Sequence, residues 1–518
     1  MINQMNRRRS AIPTKSLFLL GQSADGPVNQ PIIVANRKEA VAAFGSGNLL
    51  EAYDQVQGIA GISVHLMRIT GEYARLSLLG ESGAVLTLRS VNAGAKYNAI
   101  RVYVDTVERS GVANEALIVE SPVSGESARS YILSDYADMS ELASHINKDA
   151  YLKRGHVFAV AAEPQFPAHQ LPSLNSDILM FEGGEDGTDA TKDELFLALE
   201  DTYDLLQGRN VDVICPYPVR LDDIHPSVRY GEASAVYGQV RYGSGDYLAL
   251  VDEAKPDYPL TFHEQLIEFC QGQEHFGIMT HGVIGMSEVV AGDAMSPHYI
   301  ARLAGATAFS DRYGLTDYVS GKYVDKGHYI SVYGQDIRYG ELVRNGCAMY
   351  AGMIAALGPA GSTTNTPLPP GVELAYELSP QELRALAEIG VVAARGSVRR
   401  GLVISNGVTA GLPSSPLHQI GNVRMVQQTL ATLNEALGEM VGEPYVPSMT
   451  VRSIEDRTQK ALVGLVNTQV LTDFDFSVTM DGTTMRAQVE LELRPRFSVE
   501  YIKSSSVIDF AGGGGDSQ

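Results

Sequence analysis

Apolar residues recur at helical spacing in two stretches near the end of the chain. Val423, Val426, Leu430, Leu433, Leu437 and Met440 or Val441 predict a helix over His418–Val441, and Ile454, Ala461, Leu462, Leu465 and Val466 predict another over Val451–Leu471. Gly442, Pro444 and Pro447 separate the two, as helix breakers should. The pattern then turns to alternation. Phe474–Met480 and Met485–Leu493 flank Asp481-Gly482, the turn signal of a β-hairpin. In the second run Ala487, Val489, Leu491 and Leu493 face one way, and Arg486, Gln488, Glu490, Glu492 and Arg494 the other, which describes a strand with one wet face. A further extended run, Phe497–Ile502, comes just before the end.

Upstream, the chain begins with a polar segment, Met1–Ser16, that carries Arg7-Arg8-Arg9 and reads as an extended arm. Strands are expected at Leu17–Gly21, Pro31–Val34 and Gly61–Ile69, with a helix at Lys38–Phe44 stopped by Gly45. Short alternating runs at Ala84–Ser90, Ala99–Val107, Glu115–Glu120 and Ala128–Ile132 predict a small β-sandwich or barrel, followed by a helix at Glu141–Lys148 and a strand at His156–Ala161. From Ser176 the character shifts to loop, helix and strand: an acidic glycine loop at Phe181–Gly187, a helix at Asp193–Leu206 and a strand at Asn210–Cys215, which is half of an α/β unit. Helices at Phe262–Gln271, Pro297–Phe309 and Gly346–Leu357 and strands at Gly277–Thr280 and Tyr329–Tyr333 follow. Gly358–Gly371, with four prolines, reads as a linker. Ser379, Pro380 and Glu382 spell a capping box that opens a helix to Ile389, and strands follow at Val391–Ala394 and Gly401–Ile404.

Composition narrows the function. The 518 residues exceed one compact domain and suggest two to four. A net charge of −21 argues against nucleic-acid binding through a broad basic surface. Cys215, Cys270 and Cys347 form no paired motif, so three buried thiols are expected rather than a disulfide framework. No run of apolar residues is long enough to span a membrane, and Ser16–Leu20 is too short for a signal-peptide core. From Asp177 to Asp212 there are eleven acidic and two basic residues, a strongly negative face.

Candidate chemistry is thin. Gly183, Gly184 and Gly187 lack the Gly-Lys-Ser/Thr of a phosphate loop, and their acidic neighbours repel phosphate. Glu182, Glu185, Asp186 and Asp189 do not follow a calcium-loop spacing. Cys270, His263, His275 and His281 do not match a structural zinc signature. Tyr242–Asp246 resembles a nucleophile elbow only superficially. No cofactor, metal or catalytic residue is assigned, and the protein is read as a non-enzyme.

The segments VRMVQQTLATLNEAL, IEDRTQKALVGLVNTQVLTDFDF and VELELRPRFSVEYI closely resemble the C-terminal domain of contractile tail sheath proteins. The opening strand, Asp25-Gly26-Pro27 turn, strand and helix ending in Phe44-Gly45 resemble the start of that family, and Phe181–Pro216 is similar to its central domain. The resemblance implies an α+β multidomain fold. Residues 1–21 are an arm that joins neighbours and the inner domain. Residues 22–175 form a β-rich outer domain, 176–357 a central α/β outer domain and 358–378 a linker. Residues 379–509 form the conserved inner domain, and 510–518 a tail. It also implies a structural subunit of a phage tail sheath, made in the host cytoplasm and placed in the virion tail. Such subunits stack as hexameric rings around a tail tube, meet baseplate and terminator proteins, and contract without an active site. Intersubunit strand exchange is expected through Leu17, Phe18, Leu19, Leu20, Phe497, Val499, Tyr501, Ile502, Val507 and Ile508. Phe474, Phe476, Val478, Val489, Leu491 and Leu493 form the receiving ribbon. Arg399, Arg400, Arg424, Arg452, Arg457 and Lys460 are the expected electrostatic contacts to tube or neighbours, in a stretch, Glu382–Lys460, with eight basic and seven acidic residues. Two rivals remain: another virion structural protein, such as a baseplate or decoration subunit, and a soluble hydrolase.

Overall fold

The computed structural model describes residues 15–495 except 81–82, 122–127, 153–156, 172–177, 222–239, 242–246, 249–260, 287–296, 303–308, 311–312, 320–321, 359–360, 439, 441–446 and 482–485. Its centre is a seven-stranded sheet. The strands are β1 (Ser16–Gly21), β2 (Ile32–Val34), β3 (Ser63–Arg68), β4 (Val213–Pro216), β5 (His281–Gly285), β6 (Ile330–Tyr333) and β7 (Val391–Val392). They lie in the order β2-β3-β1-β4-β5-β6-β7, all parallel except β2, which runs antiparallel to β3 at one edge. A parallel sheet needs cover on both faces. Helices α1 (Arg37–Phe44), α2 (Asn48–Val56) and α5 (Cys347–Ala356) cover one face, where Leu17, Leu19, Val213, Cys215, Val283 and Tyr333 point. Helices α3 (Lys192–Leu206), α4 (Phe262–Glu274) and α6 (Pro380–Glu388) cover the other, over Phe18, Leu20, Ile214, Ile284 and Val332. Capping boxes begin α3, α4 and α6: Thr191 with Glu194, Thr261 with Glu264, and Ser379 with Glu382. Helix α5 is buried all round, as its run of small and apolar residues requires.

The central sheet revises several expectations. Leu17–Leu20 is a middle strand, wholly buried, with one edge bonded to β3 and the other to β4 of its own chain. A strand with both ladders filled has no free donors or acceptors for a neighbour, so Leu17, Phe18, Leu19 and Leu20 are core rather than exchange residues. Because the sheet takes strands from residue 16 to residue 392, it crosses the expected boundaries at 22, 176, 358 and 379. The linker reading of Gly358–Gly371 also yields: Thr363 and Leu368 are buried, Thr363 Oγ1 lies 3.1 Å from Tyr350 Oη, and Pro367 bridges to Val403. The strand expected at Gly277–Thr280 begins later, at His281, and helix α2 and a strand at Arg75–Gly80 appear where none was expected.

Residues 72–181 form a second layered unit. A four-stranded sheet (Leu179–Met180, Arg101–Arg109, Val112–Glu120, Arg129–Ile132) and a three-stranded one (Arg75–Gly80, Gly83–Ser90, Val157–Ala161) share a core with the helix Met139–Leu152, including Leu86, Leu88, Val102, Leu117, Leu142 and Ile146. This is the expected sandwich-like unit with a helix added to its core. Arg68, the last residue of β3, ties it to the central sheet. The guanidinium is fully buried and donates to five main-chain carbonyls: Gly26 at 3.1 Å, Thr70 at 2.6 Å, Ala93 at 2.7 Å, Glu185 at 3.2 Å and Asp186 at 2.6 Å. Burial lowers its pKa, and Asp25 and Asp186 nearby act the other way. The acidic glycine loop thus caps an arginine: its carbonyls turn inward, Asp186 Oδ1 accepts from Ala95 N at 2.8 Å, and Gly184 exchanges two hydrogen bonds with the Asn98 amide.

Candidate subunit interface

Beyond β7 the chain makes a hairpin of β8 (Ala394–Ser397) and β9 (Gly401–Ile404), then helices α7 (Ile420–Gly438) and α8 (Pro447–Asn467). Pro447, expected as a breaker, is the first residue of α8, where its missing N–H costs nothing. Helix α7 serves two cores. Ile420 and Val423 join the core of the α2 and α5 face, while Met425 and Leu433 join Leu462, Leu465, Val470 and Leu471 in a small separate core. Arg457 Nη1 donates to Ala436 O at 3.2 Å and links the two helices.

That small core carries a long β-ribbon of β10 (Leu471–Asp481) and β11 (Arg486–Pro495). The six expected ribbon residues are three facing pairs: Phe474 with Leu493, Phe476 with Leu491, and Val478 with Val489. All six are half-buried, and Phe474, Phe476, Leu491 and Leu493 pack on the helix pair, while Asp473, Asp475, Glu490, Glu492 and Arg494 are exposed. Arg494 Nη1 pairs with Asp473 Oδ2 at 2.7 Å. The ribbon is a two-stranded sheet, so among the described residues no further strand bonds to either outer edge. Each edge therefore presents main-chain donors and acceptors suited to an added strand. Phe497, Val499, Tyr501, Ile502, Val507 and Ile508 lie outside the described residues.

The expected basic contacts separate by burial. Arg399 and Arg400 are exposed in the turn between β8 and β9, and Arg452 and Lys460 are exposed on α8, with Arg457 half-buried. Arg424 is not a surface contact: it is 3% exposed, under α7 at the N-terminal ends of the central strands. Its Nη1 donates to Gln427 Oε1 at 2.5 Å, and Gln427 Nε2 donates to Asp212 O at 3.1 Å. Burial pushes the Arg424 pKa down while Asp212 pulls it up. Asp212 Oδ2 accepts from Ser16 N at 3.0 Å, and His281 Nε2 lies 2.9 Å from Ser331 Oγ. His281 Nδ1 is buried, and the main chain of His328 stands beside the ring. Burial first, then the Arg424 charge, lowers the His281 pKa to about 3, so the ring is neutral at ordinary pH. Gln427 thus ties α7 to the main chain just ahead of β4, beside the start of β1; charge alone does not reveal which arginine a fold encloses.

With this geometry in view, the chain is similar to the solved sheath tail protein of Listeria innocua, with 11% identity, a TM-score of 0.56, and coverage of 93% of this chain and 91% of that one. The two share a fold nearly end to end. A sheath tail protein of Desulfitobacterium hafniense aligns over 95% of both chains at 10% identity and a TM-score of 0.49. The sheath of an extracellular contractile injection system in its contracted state aligns with 47% of this chain and 69% of that one at 12% identity, with a TM-score of 0.34. No family model and no curated protein matches the sequence.

Other candidates for chemistry do not converge. Among the described residues, no group of three or more His, Cys, Asp and Glu side chains is placed to hold a metal ion. Cys215, Cys270 and Cys347 are all buried free thiols; Cys215 on β4 and Cys347 on α5 stand 3.9 Å apart, Sγ to Sγ. Among the described residues no helix is long and apolar enough to cross a membrane.

Proposed function

We propose that this chain is the structural subunit of a contractile tail sheath. It polymerises as stacked hexameric rings around a tail tube, meets baseplate and terminator proteins at the ends, and contracts to drive the tube through an envelope. The observation that carries this reading is the likeness, nearly end to end, to the Listeria sheath tail protein, combined with a ribbon to whose outer edges no other strand among the described residues bonds. A neighbour's extended segment adds to a ribbon edge by main-chain hydrogen bonding, and the segment Phe497–Ile508 has the Val, Ile and Tyr content for it. Leu17–Leu20 takes no part, being committed to the central sheet. Contraction is then a change between two packings of the same subunits, with added strands keeping the lattice joined.

Negative-stain electron microscopy of the full chain at rising concentration, alone and with tube protein, tests this. Hollow striated tubes with sixfold end views are expected. A variant lacking residues 496–518 is expected to remain a folded monomer that builds no long tubes. Monodisperse full-length particles in both conditions would move the weight to a baseplate or decoration subunit. Deleting residues 1–21 is not a clean test, because it removes the central strand β1.

A further inference from the structure

The chain carries two exposed, apolar-studded surfaces of opposite charge on opposite faces of its central sheet. The first is the β8–β9 hairpin. From Ile389 to Asn434 the sequence has no Asp or Glu, although the whole chain has a net charge of −21. Ser397 pairs with Gly401 and leaves Val398, Arg399 and Arg400 in the turn, all exposed, with the Val398 side chain wholly in solvent. Asn365 steadies the base of this knob: its Oδ1 accepts from Arg395 Nη2 at 2.8 Å, and its main-chain oxygen accepts from Arg400 Nη1 at 3.2 Å. The hairpin roots, Ala394 and Ile404, belong to the core under α2 and α5.

The second surface is the outer side of α3, which covers the other face. Its buried side is Phe196, Leu199, Tyr203 and Leu206. Leu197 and Leu205 are 58% and 48% exposed. They lie in one line with Asp201, at successive four-residue steps, beside the exposed Glu200 and Asp204. The only basic residue of the helix is Lys192 at its start. Glu200 and Asp204 are like charges one turn apart, an arrangement that weakens an isolated helix. Among the described residues, neither Arg399 nor Glu200, Asp201 or Asp204 forms an ion pair within the chain.

We infer that the Val398–Arg400 knob of one copy docks on the Leu197–Leu205 face of α3 in the next copy. Each surface supplies what the other lacks: guanidiniums for unpaired carboxylates, and an exposed valine for exposed leucines. Because the sheet separates the two surfaces, one chain cannot bring its own knob to its own helix. The contact is therefore heterologous, head to tail, and repeats without self-saturation until a ring or helix closes it. This rests on the proposed reading as a polymerising subunit and names one of its contacts.

The test uses the full chain and two charge reversals, R399E/R400E and E200K/D201K/D204K. Sedimentation velocity and electron microscopy are run at low and high salt. Wild-type association is expected to weaken about tenfold between about 50 mM and 500 mM NaCl, as exposed ion pairs do. Each reversal alone is expected to weaken it by at least about tenfold at low salt, while far-ultraviolet circular dichroism stays unchanged because all five positions are exposed. Mixing the two variants, or combining the reversals in one chain, is expected to restore association. Tubes formed equally well by wild type and both reversals would overturn this contact and leave the subunit reading standing. A wild type that stays monomeric at every salt and with tube protein would overturn both.

Discussion

Acid should weaken this protein through one histidine. His281 begins β5, wholly buried, its Nε2 on Ser331 Oγ. Around it stand Arg424 and His328, with Asp212 on the neighbouring strand side; burial and the Arg424 charge hold its pKa near 3, against 6.5 when free. The folded state thus takes up the proton far less readily than the unfolded one. The stability this neutral ring provides is complete above pH 6.5, falls as pH drops below 6.5, and goes on falling until about pH 3. One pH unit in that window is worth about 1.4 kcal/mol. At pH 5.5 the loss relative to pH 7.5 is therefore about 1.4 kcal/mol from His281 alone. The comparison stops at pH 5.5 because the net charge vanishes near pH 5.0, where solubility falls. The assay is urea unfolding of wild type and His281→Gln at both pH values. Wild type should lose about 1.4 kcal/mol more than the variant across the interval; His328, whose pKa is also lowered by burial, contributes to both and largely cancels. Equal losses in the two proteins would refute the reasoning.

Other outcomes follow from the same geometry. Arg68→Met leaves five inward carbonyls without their donor and should cost at least about 3 kcal/mol, read as a lowered urea midpoint and as faster hydrogen exchange in residues 92–98 and 182–187. Gly71→Ala should destabilise by about 1–3 kcal/mol, since φ is +112° and an added Cβ would stand 2.0 Å from Arg68 Nη2; a thermal midpoint equal to wild type would count against it. Ser379→Ala removes the α6 cap and should cost about 1 kcal/mol in the same unfolding assay.

Local chemistry in the sequence predicted local structure well. Ser379 and Glu382 do form a reciprocal box, and the alternation on either side of Asp481-Gly482 does become a paired ribbon, because both signals are complete within one continuous stretch of at most about twenty residues. The central sheet was less legible, since its order depends on residues hundreds of positions apart. Its strands are two to six residues long, and such short apolar runs have no period to identify their partners. Leu17–Leu20 did carry a usable sign: four apolar residues in a row describe a strand buried on both faces, which suits the middle of a parallel sheet better than an exchanged arm. Helix α2 was missed because Gly47 caps it with no side-chain hydrogen bond. Arg424 was misplaced because its sequence neighbours look like those of any helix surface, and only the fold of α7 over β4 and β5 encloses it.

The clasp around Arg68 grips main chain only. Every acceptor is a peptide carbonyl, so the bonds use no side chain of residues 70, 93 and 185, while position 26 is held to glycine by its φ of +99° and by Phe44 against it, and Asp186 adds its charge. The exposed side chains of the sandwich beyond the acidic loop can therefore change without disturbing the attachment. The joint works as a fitting between the central sheet and the layered unit, set by the path of the backbone rather than by the surface that the unit presents.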